Sequence, residues 1–254
     1  MNIALSRSTY TDLRLNSKYY LILFLLWPFL AFITAIMNYS QKEARKVVYA
    51  FLIYYGLSFV ISSQFSDGFR YAERLHDYAV LPFSDFFKMV GGIYSDTTAD
   101  LIQPLITFIV SRFTAYHGAL FAAFAAVFGY FYIKSINLLY NRYKGNPGLN
   151  GIIFIFFFVF ILPITAINGF RMWTAAWIFF YGAYNTVLFK DKGYLLIALA
   201  ASFVHFSFIL ANLVLLVYFF AGNRNLIYLP LAILSFILPD LIAPRSEERR
   251  VGKE

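Results

Sequence analysis

The chain contains no cysteine, which removes disulfides, thiolate nucleophiles and cysteine-ligated metals and leaves the compartment open. Charge is nearly as scarce: 13% of the 254 residues are charged against 61% hydrophobic. Mean hydropathy is +0.66, an apolar load that a soluble domain of this size has no interior to hide. The three histidines, His76, His117 and His205, show no ligand spacing, so neither a metal nor a cofactor is expected. There is no tandem or inverted repeat, and no linker rich in Gly, Pro or Ser that would divide the chain. The apolar run behind Arg7, Arg14 and Lys18 lacks a small-residue cleavage site, which reads as a retained first span rather than a signal peptide.

What is present is apolar and aromatic. The 31 Phe and 20 Tyr suit helices that face lipid in places and a greasy or sugar-stacking groove in others. The net charge of +8 is spread over short loops rather than gathered in a patch, a topology signal and not a nucleic-acid footprint. The expected fold is therefore all-α, a multi-pass transmembrane helix bundle with the lipid bilayer as first partner. Seven apolar runs are of spanning length, roughly 17 to 25 residues: Tyr19 to Met37, Val47 to Ser63, Gly118 to Lys134, Gly151 to Ile167, Met172 to Phe189, Tyr194 to Ala221 and Leu226 to Ile242. An eighth, Leu101 to Phe113, reads as a re-entrant or half-crossing helix, being only about 20 Å long at ~1.5 Å per residue.

Residues 1–244 read as one integral membrane domain, incomplete at its C-terminus. The last ten, Arg245 to Glu254, read RSEERRVGKE, the translation of a common sequencing-adapter sequence, and are set aside as an artefact.

Two topologies compete. If Leu101 to Phe113 crosses and the N-terminus is inside, inner loops collect eleven Lys and Arg against six outside. If it does not cross and the N-terminus is outside, the count is eight inside and nine outside, so the positive-inside rule prefers the first. Both place Lys134, Arg142, Lys190 and Lys192 in the cytoplasm and the corner before Arg171 outside.

The largest polar piece is Gln64 to Asp100. As a helix it puts Asp67, Arg70, Tyr71, Arg74 and Tyr78 on one face and Phe69, Ala72 and Ala79 on the other. That charged face either lines a substrate cavity or is a solvated surface laced by ion pairs such as Asp67 with Arg70. Arg171 follows Asn168 and Gly169 at the mouth of a span. It either snorkels to headgroups or offers a rigid fork to a phosphate, with Gly169 letting the backbone approach closely. His205 falls near the middle of its run, sharing a helical face with Ser202, Ile209 and Asn212. It is either a strut bonded to a neighbour or, given the cost of an ionisable group in a membrane, a functional residue.

The string from Ile167 through Asn168, Gly169, Phe170, Arg171, Met172, Trp173 and Thr174 to Ala175, followed by Val204, His205, Phe206 and Ser207, resembles the EpsG family of bacterial polysaccharide polymerases, relatives of Wzy. So does Ser66-Asp67-Gly68-Phe69-Arg70-Tyr71, with Gln103-Pro104-Leu105 and Val110-Ser111-Arg112-Phe113 after it. The similarity runs from about Ser63 to Leu210. It departs where family members often carry an acid before the proline and this chain has Gln103, which is therefore given no catalytic role.

The resemblance implies a multi-pass glycosyltransferase in the bacterial cytoplasmic membrane, its site facing outward. It would join oligosaccharide repeat units carried on a polyprenyl pyrophosphate, metal-independently, beside other polysaccharide assembly proteins. It implies catalytic roles for Arg171, Asp67 and His205 and substrate binding by Arg70, Tyr71, Arg74, Asn168 and Gly169. Fixed cations would meet the leaving pyrophosphate, with Asp67 as first candidate base and His205 as second. It also places the Asp67 loop on the same side as Arg171, and the shortness of Leu101 to Phe113 favours that arrangement over the one the charge count prefers. A flippase for lipid-linked sugar would use the same cations but show repeats with broken helices. A sugar acyltransferase would pair its His with a nearby acid.

Overall fold

The computed structural model describes residues 16–61, 64–90, 100–143, 153, 167, 169–224, 226, 228–230 and 233. Among them the chain is all-helical: α1 (Ser17–Leu26), α2 (Pro28–Met37), α3 (Lys42–Leu57), α4 (Asp67–Val80), α5 (Phe83–Val90), α6 (Ile102–Ser111), α7 (His117–Tyr143), α8 (Phe170–Phe189), α9 (Lys192–Val204) and α10 (Phe208–Ala221).

The axis of the bundle is α7. Its stretch His117–Arg142 is, among the described residues, the one helix long and apolar enough to cross a membrane. Helix α3 runs antiparallel to it. Gly56 of α3 faces the backbone of Phe121, and a Cβ there would collide with that carbonyl, so glycine sets how closely the two helices approach. Helix α8 runs parallel to α7, with Phe124 stacked on Phe170 at 4.1 Å and Tyr132 edge-on to Trp177 at 4.9 Å. Helix α9 comes back antiparallel to α8, its Ala198 backbone against Gly182, where again no Cβ fits. Helix α10 reverses once more: Phe208 at its start meets Phe179, and Gly222 past its end shares a small cavity with Lys190.

Helices α4, α5 and α6 cover one end of this bundle. Tyr71 and Leu75 of α4 enter the cluster of Leu120, Phe121 and Phe170, and Tyr78, Phe86 and Phe108 join α4, α5 and α6. The opposite, cationic end gathers Lys42, Arg45 and Lys46 with Lys134 around one cavity. Arg142, Lys190, Lys192 and Arg224 fall at that end by the directions of α7 to α10.

Several expectations are corrected. The run 19–37 is not one span: it breaks at Trp27 (φ −152°, ψ 87°), because the proline ring of Pro28 excludes the helical region for the residue before it. The run 194–221 is not one span either but a hairpin, α9 and α10 meeting at 205–207. The run 47–63 is helical from Lys42 to Leu57, and 118–134 continues to Tyr143. Most of 151–167 and 226–242, and all of 245–254, lie outside the described residues. Helix α6, ten residues long, has both flanks at the covered end: the Leu101 amide donates to the Phe203 carbonyl at 2.8 Å, and the Tyr116 hydroxyl donates to the Leu57 carbonyl at 3.4 Å. Such a helix, about 15 Å long, lies over that end.

The faces of α4 are also redistributed. Its buried residues are Gly68, Tyr71, Leu75 and Tyr78, an i, i+3, i+7, i+10 stripe. The two tyrosines therefore belong to the core side and not to a charged outer face, while Ala79 is exposed.

Candidate functional site

Four segments converge where α8 begins. Helix α4 starts at Asp67, capped by Ser66, whose hydroxyl accepts from the Phe69 amide at 3.2 Å. Gly169 caps α8, and the space its missing Cβ would occupy is taken by the Trp173 indole of the same helix. Two residues on, Arg171 projects between α4 and the segment entering α6. Its Nε donates to the Tyr71 hydroxyl at 3.1 Å and its Nη1 to Asp100 Oδ2 at 2.9 Å. Its Nη2 lies 3.9 Å from Asp67 Oδ2. The Tyr71 ring stacks T-shaped on Phe124 of α7, which anchors the phenol from below.

Asp100 is the residue that sequence reasoning missed. Its side chain is 1% exposed while that of Arg171 is 21%, and its second oxygen accepts from the Phe206 backbone amide at 2.9 Å. One carboxylate thus ties the α8 cation to the α9–α10 turn. A signal was there: from Leu101 to Lys190 the chain has no acidic residue, so Asp100 is the last carboxylate before a long apolar stretch. A lone acid at the mouth of such a stretch needs a partner within the fold.

The same contact accounts for the hairpin. Turning at 205–207 frees the Phe203 carbonyl and the Phe206 amide from helical partners, and the Leu101 amide and Asp100 carboxylate satisfy both. His205, in extended conformation (φ −149°, ψ 122°), accepts at Nδ1 from the Ser207 amide at 3.3 Å and lies 2.7 Å from the Ser207 hydroxyl. A backbone N–H only donates, so Nδ1 is an acceptor here and the neutral ring carries its proton on Nε2. The expectation that His205 sits mid-helix is corrected to a capping position in a turn. Ser202 and Asn212, expected to share its face, bond each other across the hairpin at 2.7 Å instead.

Burial pushes the Tyr71 phenol above its ordinary pKa, against the pull of the Arg171 guanidinium, which keeps it neutral. Burial by itself would lower Arg171, but Tyr71, Asp100 and Asp67 outweigh it and hold the guanidinium above its ordinary value, a permanent cation. Arg70 is ion-paired to Asp67 at 3.4 Å with its side chain 62% exposed. Arg74 reaches away from this cluster: its Nη1 donates to Gln103 Oε1 at 3.4 Å, and Gln103 donates on to Thr107. Asn168 lies outside the described residues.

The structure therefore brings together Arg171, Asp67, Arg70 and Tyr71, adds Asp100, sets His205 one residue from the Asp100 anchor, and leaves Arg74 on a separate branch. Two of the three Arg171 nitrogens are engaged by Tyr71 and Asp100, so a ligand would meet the Nη2 edge beside Asp67 and the exposed Arg70. Comparison with family models, with curated proteins and with solved structures finds no match for this chain.

Proposed function

We propose that the chain is a polytopic membrane glycosyltransferase of the EpsG type, which polymerises oligosaccharide repeat units carried on polyprenyl pyrophosphate in a bacterial cytoplasmic membrane. The observation that carries this reading is the Arg171 guanidinium, braced by Asp100 and Tyr71 and leaving one edge beside Asp67 and Arg70. Residence in a bilayer is supported by α7 and by large apolar side chains left exposed along the bundle, such as Leu26 at 79%, Met37 at 81% and Phe220 at 81%. Orientation follows from charge. Among the described residues, Lys18, Lys42, Arg45, Lys46, Lys134, Arg142, Lys190, Lys192 and Arg224 stand at one end against Arg70, Arg74, Arg112 and Arg171 at the other, so the positive-inside rule turns the Arg171 end outward.

In this reading Arg70 and the Nη2 edge of Arg171 hold the pyrophosphate. Asp67, between them, takes the proton of the acceptor hydroxyl as its oxygen forms the new bond to the anomeric carbon. The bond from that carbon to the pyrophosphate oxygen breaks, and the two guanidinium groups meet the charge that builds there without a metal. Asp100 and Tyr71 position Arg171. In the organism of origin, deleting the gene should collapse the surface polysaccharide ladder to single repeat units, and Asp67→Asn should fail to restore it. Loss of all surface repeat units with lipid-linked units trapped on the inner leaflet would identify a flippase instead. An unchanged ladder would remove the polymer reading altogether.

His205 is assigned a capping role, which makes its two amide substitutions diverge. The Oδ1 of Asn occupies the place of Nδ1, so His205→Asn should keep the bond to the Ser207 amide and retain polymer formation. His205→Gln, one methylene longer, should lose the cap, about 1 kcal/mol of stability, measured as a lower melting temperature in detergent. An inactive His205→Asn variant of wild-type stability would restore His205 as a proton-transfer group acting through Nε2.

A further inference from the structure

At the end of the bundle away from Arg171, the first half of α3 and the second half of α7 line an open cavity of about 380 Å³. Four cations stand around it, Lys42, Arg45, Lys46 and Lys134, on a wall completed by Tyr49, Tyr130 and Ile133. Only Lys46 has a carboxylate partner among the described residues, Glu43 at 3.0 Å. Lys134 is instead held over the Tyr130 ring, 5.5 Å from its centroid, and the Tyr49 hydroxyl is fixed to the Ala126 carbonyl at 3.0 Å, so the wall is preformed. Asn137 also lines the cavity, and its buried Oδ1 has no hydrogen-bond partner among the described residues. Three uncompensated cations call for an anion with more than one charged oxygen, and a stranded amide oxygen calls for a donor.

We propose that this cavity binds the headgroup of an anionic phospholipid that carries a hydroxyl, the chemistry of phosphatidylglycerol. The phosphate meets Lys42, Arg45 and Lys134, the headgroup hydroxyl donates to Asn137 Oδ1, and the acyl chains leave along the apolar wall. Basic pockets between helices at the cytoplasmic surface recognise lipid phosphates by this combination of focused charge and adjoining apolar surface. Tyr130, 50% exposed, supplies the amphipathic ring that favours the headgroup level. The site rests on the membrane residence proposed above and not on the polymerisation chemistry: Lys134 at the cavity is ten residues along α7 from Phe124, about 15 Å of helix, and Phe124 stacks on Phe170 beside Arg171.

The test is native mass spectrometry of the full chain in detergent, titrated separately with phosphatidylglycerol, phosphatidic acid, phosphatidylcholine and inorganic phosphate. One phosphatidylglycerol per chain should be retained, with phosphatidylcholine and phosphate failing to replace it at equal concentration. Each cation contributes about fivefold, so Arg45→Gln with Lys134→Gln should weaken binding at least roughly tenfold. The charge-matched pair Lys192→Gln with Arg224→Gln, at the same end but off the cavity, should leave it unchanged. Asn137→Leu keeps the charge and should reduce the preference for phosphatidylglycerol over phosphatidic acid, which covers the case in which the double variant fails to fold. Equal weakening by the two charge pairs would mean diffuse surface attraction and overturn the site. Displacement by inorganic phosphate at equal concentration would assign the cavity to a soluble phosphate and overturn the lipid. Neither outcome bears on the polysaccharide ladder, so this site and the polymerase reading stand or fall separately.

Discussion

Asp100→Asn should be among the most destabilising conservative changes in the chain, costing roughly 3 kcal/mol, the low end for breaking a buried ion pair because Arg171 keeps partial exposure. The amide oxygen of Asn can still accept from the Phe206 amide, but its NH2 group then faces Arg171 Nη1, donor against donor. The cation is left with Asp67 at 3.9 Å as its nearest carboxylate. Thermal melting in detergent measures the loss, and a second variant assigns it. If the cost comes from an uncompensated guanidinium, adding Arg171→Gln to Asp100→Asn should recover a large part of the stability, since residues in one ion pair do not contribute additively. Strict additivity in that double-mutant cycle would show that Asp100 acts through the α9–α10 turn alone.

Arg171→Lys should reduce polymer formation by at least roughly a hundredfold, the scale of losing one preorganised donor at a developing anion, with normal insertion of the protein. Lysine keeps the charge and loses the fork. A single ammonium cannot satisfy Tyr71 and Asp100 in the plane they occupy now and still present a second edge beside Asp67. Arg70→Lys is the internal comparison. That side chain is 62% exposed and pairs only with Asp67 at 3.4 Å among the described residues, so its replacement should cost less than tenfold, in keeping with the small worth of exposed pairs. Chain length of surface polysaccharide, normalised to membrane-inserted protein, reports both. Wild-type polymer from Arg171→Lys would reduce the residue to a structural anchor.

Much of this architecture is legible in the residues. The apolar load and the long run behind His117 point to helices, and Pro28 is a sequence-visible reason for the break at Trp27. The convergence of the Asp67 helix and Arg171 was reachable from the motif resemblance, and the shortness of Leu101 to Phe113 spoke against a full crossing, although it suggested a re-entrant or half-crossing helix where the structure has one lying over the bundle end. Tyr71 and Tyr78 were misplaced because a helical wheel sorts tyrosine by its polar hydroxyl, whereas α4 buries the rings and leaves the hydroxyl of Tyr71 to Arg171.

The turn at His205 is a different kind of case. Nothing between Tyr194 and Ala221 breaks a helix by itself: there is no proline and no glycine, and every local rule favours one continuous span. The sequence by itself determined an apolar, helix-forming segment with a histidine inside it. Only the tertiary structure decided that the segment folds back, because the backbone groups exposed by turning at 205–207 find their partners in Asp100 and Leu101, about a hundred positions earlier in the chain. An unsatisfied amide and carbonyl there would cost several kcal/mol in an apolar setting, and whether that cost arises depends on which distant residues the packing of α6 against α9 delivers. Local propensity carries no information on that point. The same packing delivers Asp100 to Arg171, so the contact that makes the hairpin possible is also the one that completes the candidate site.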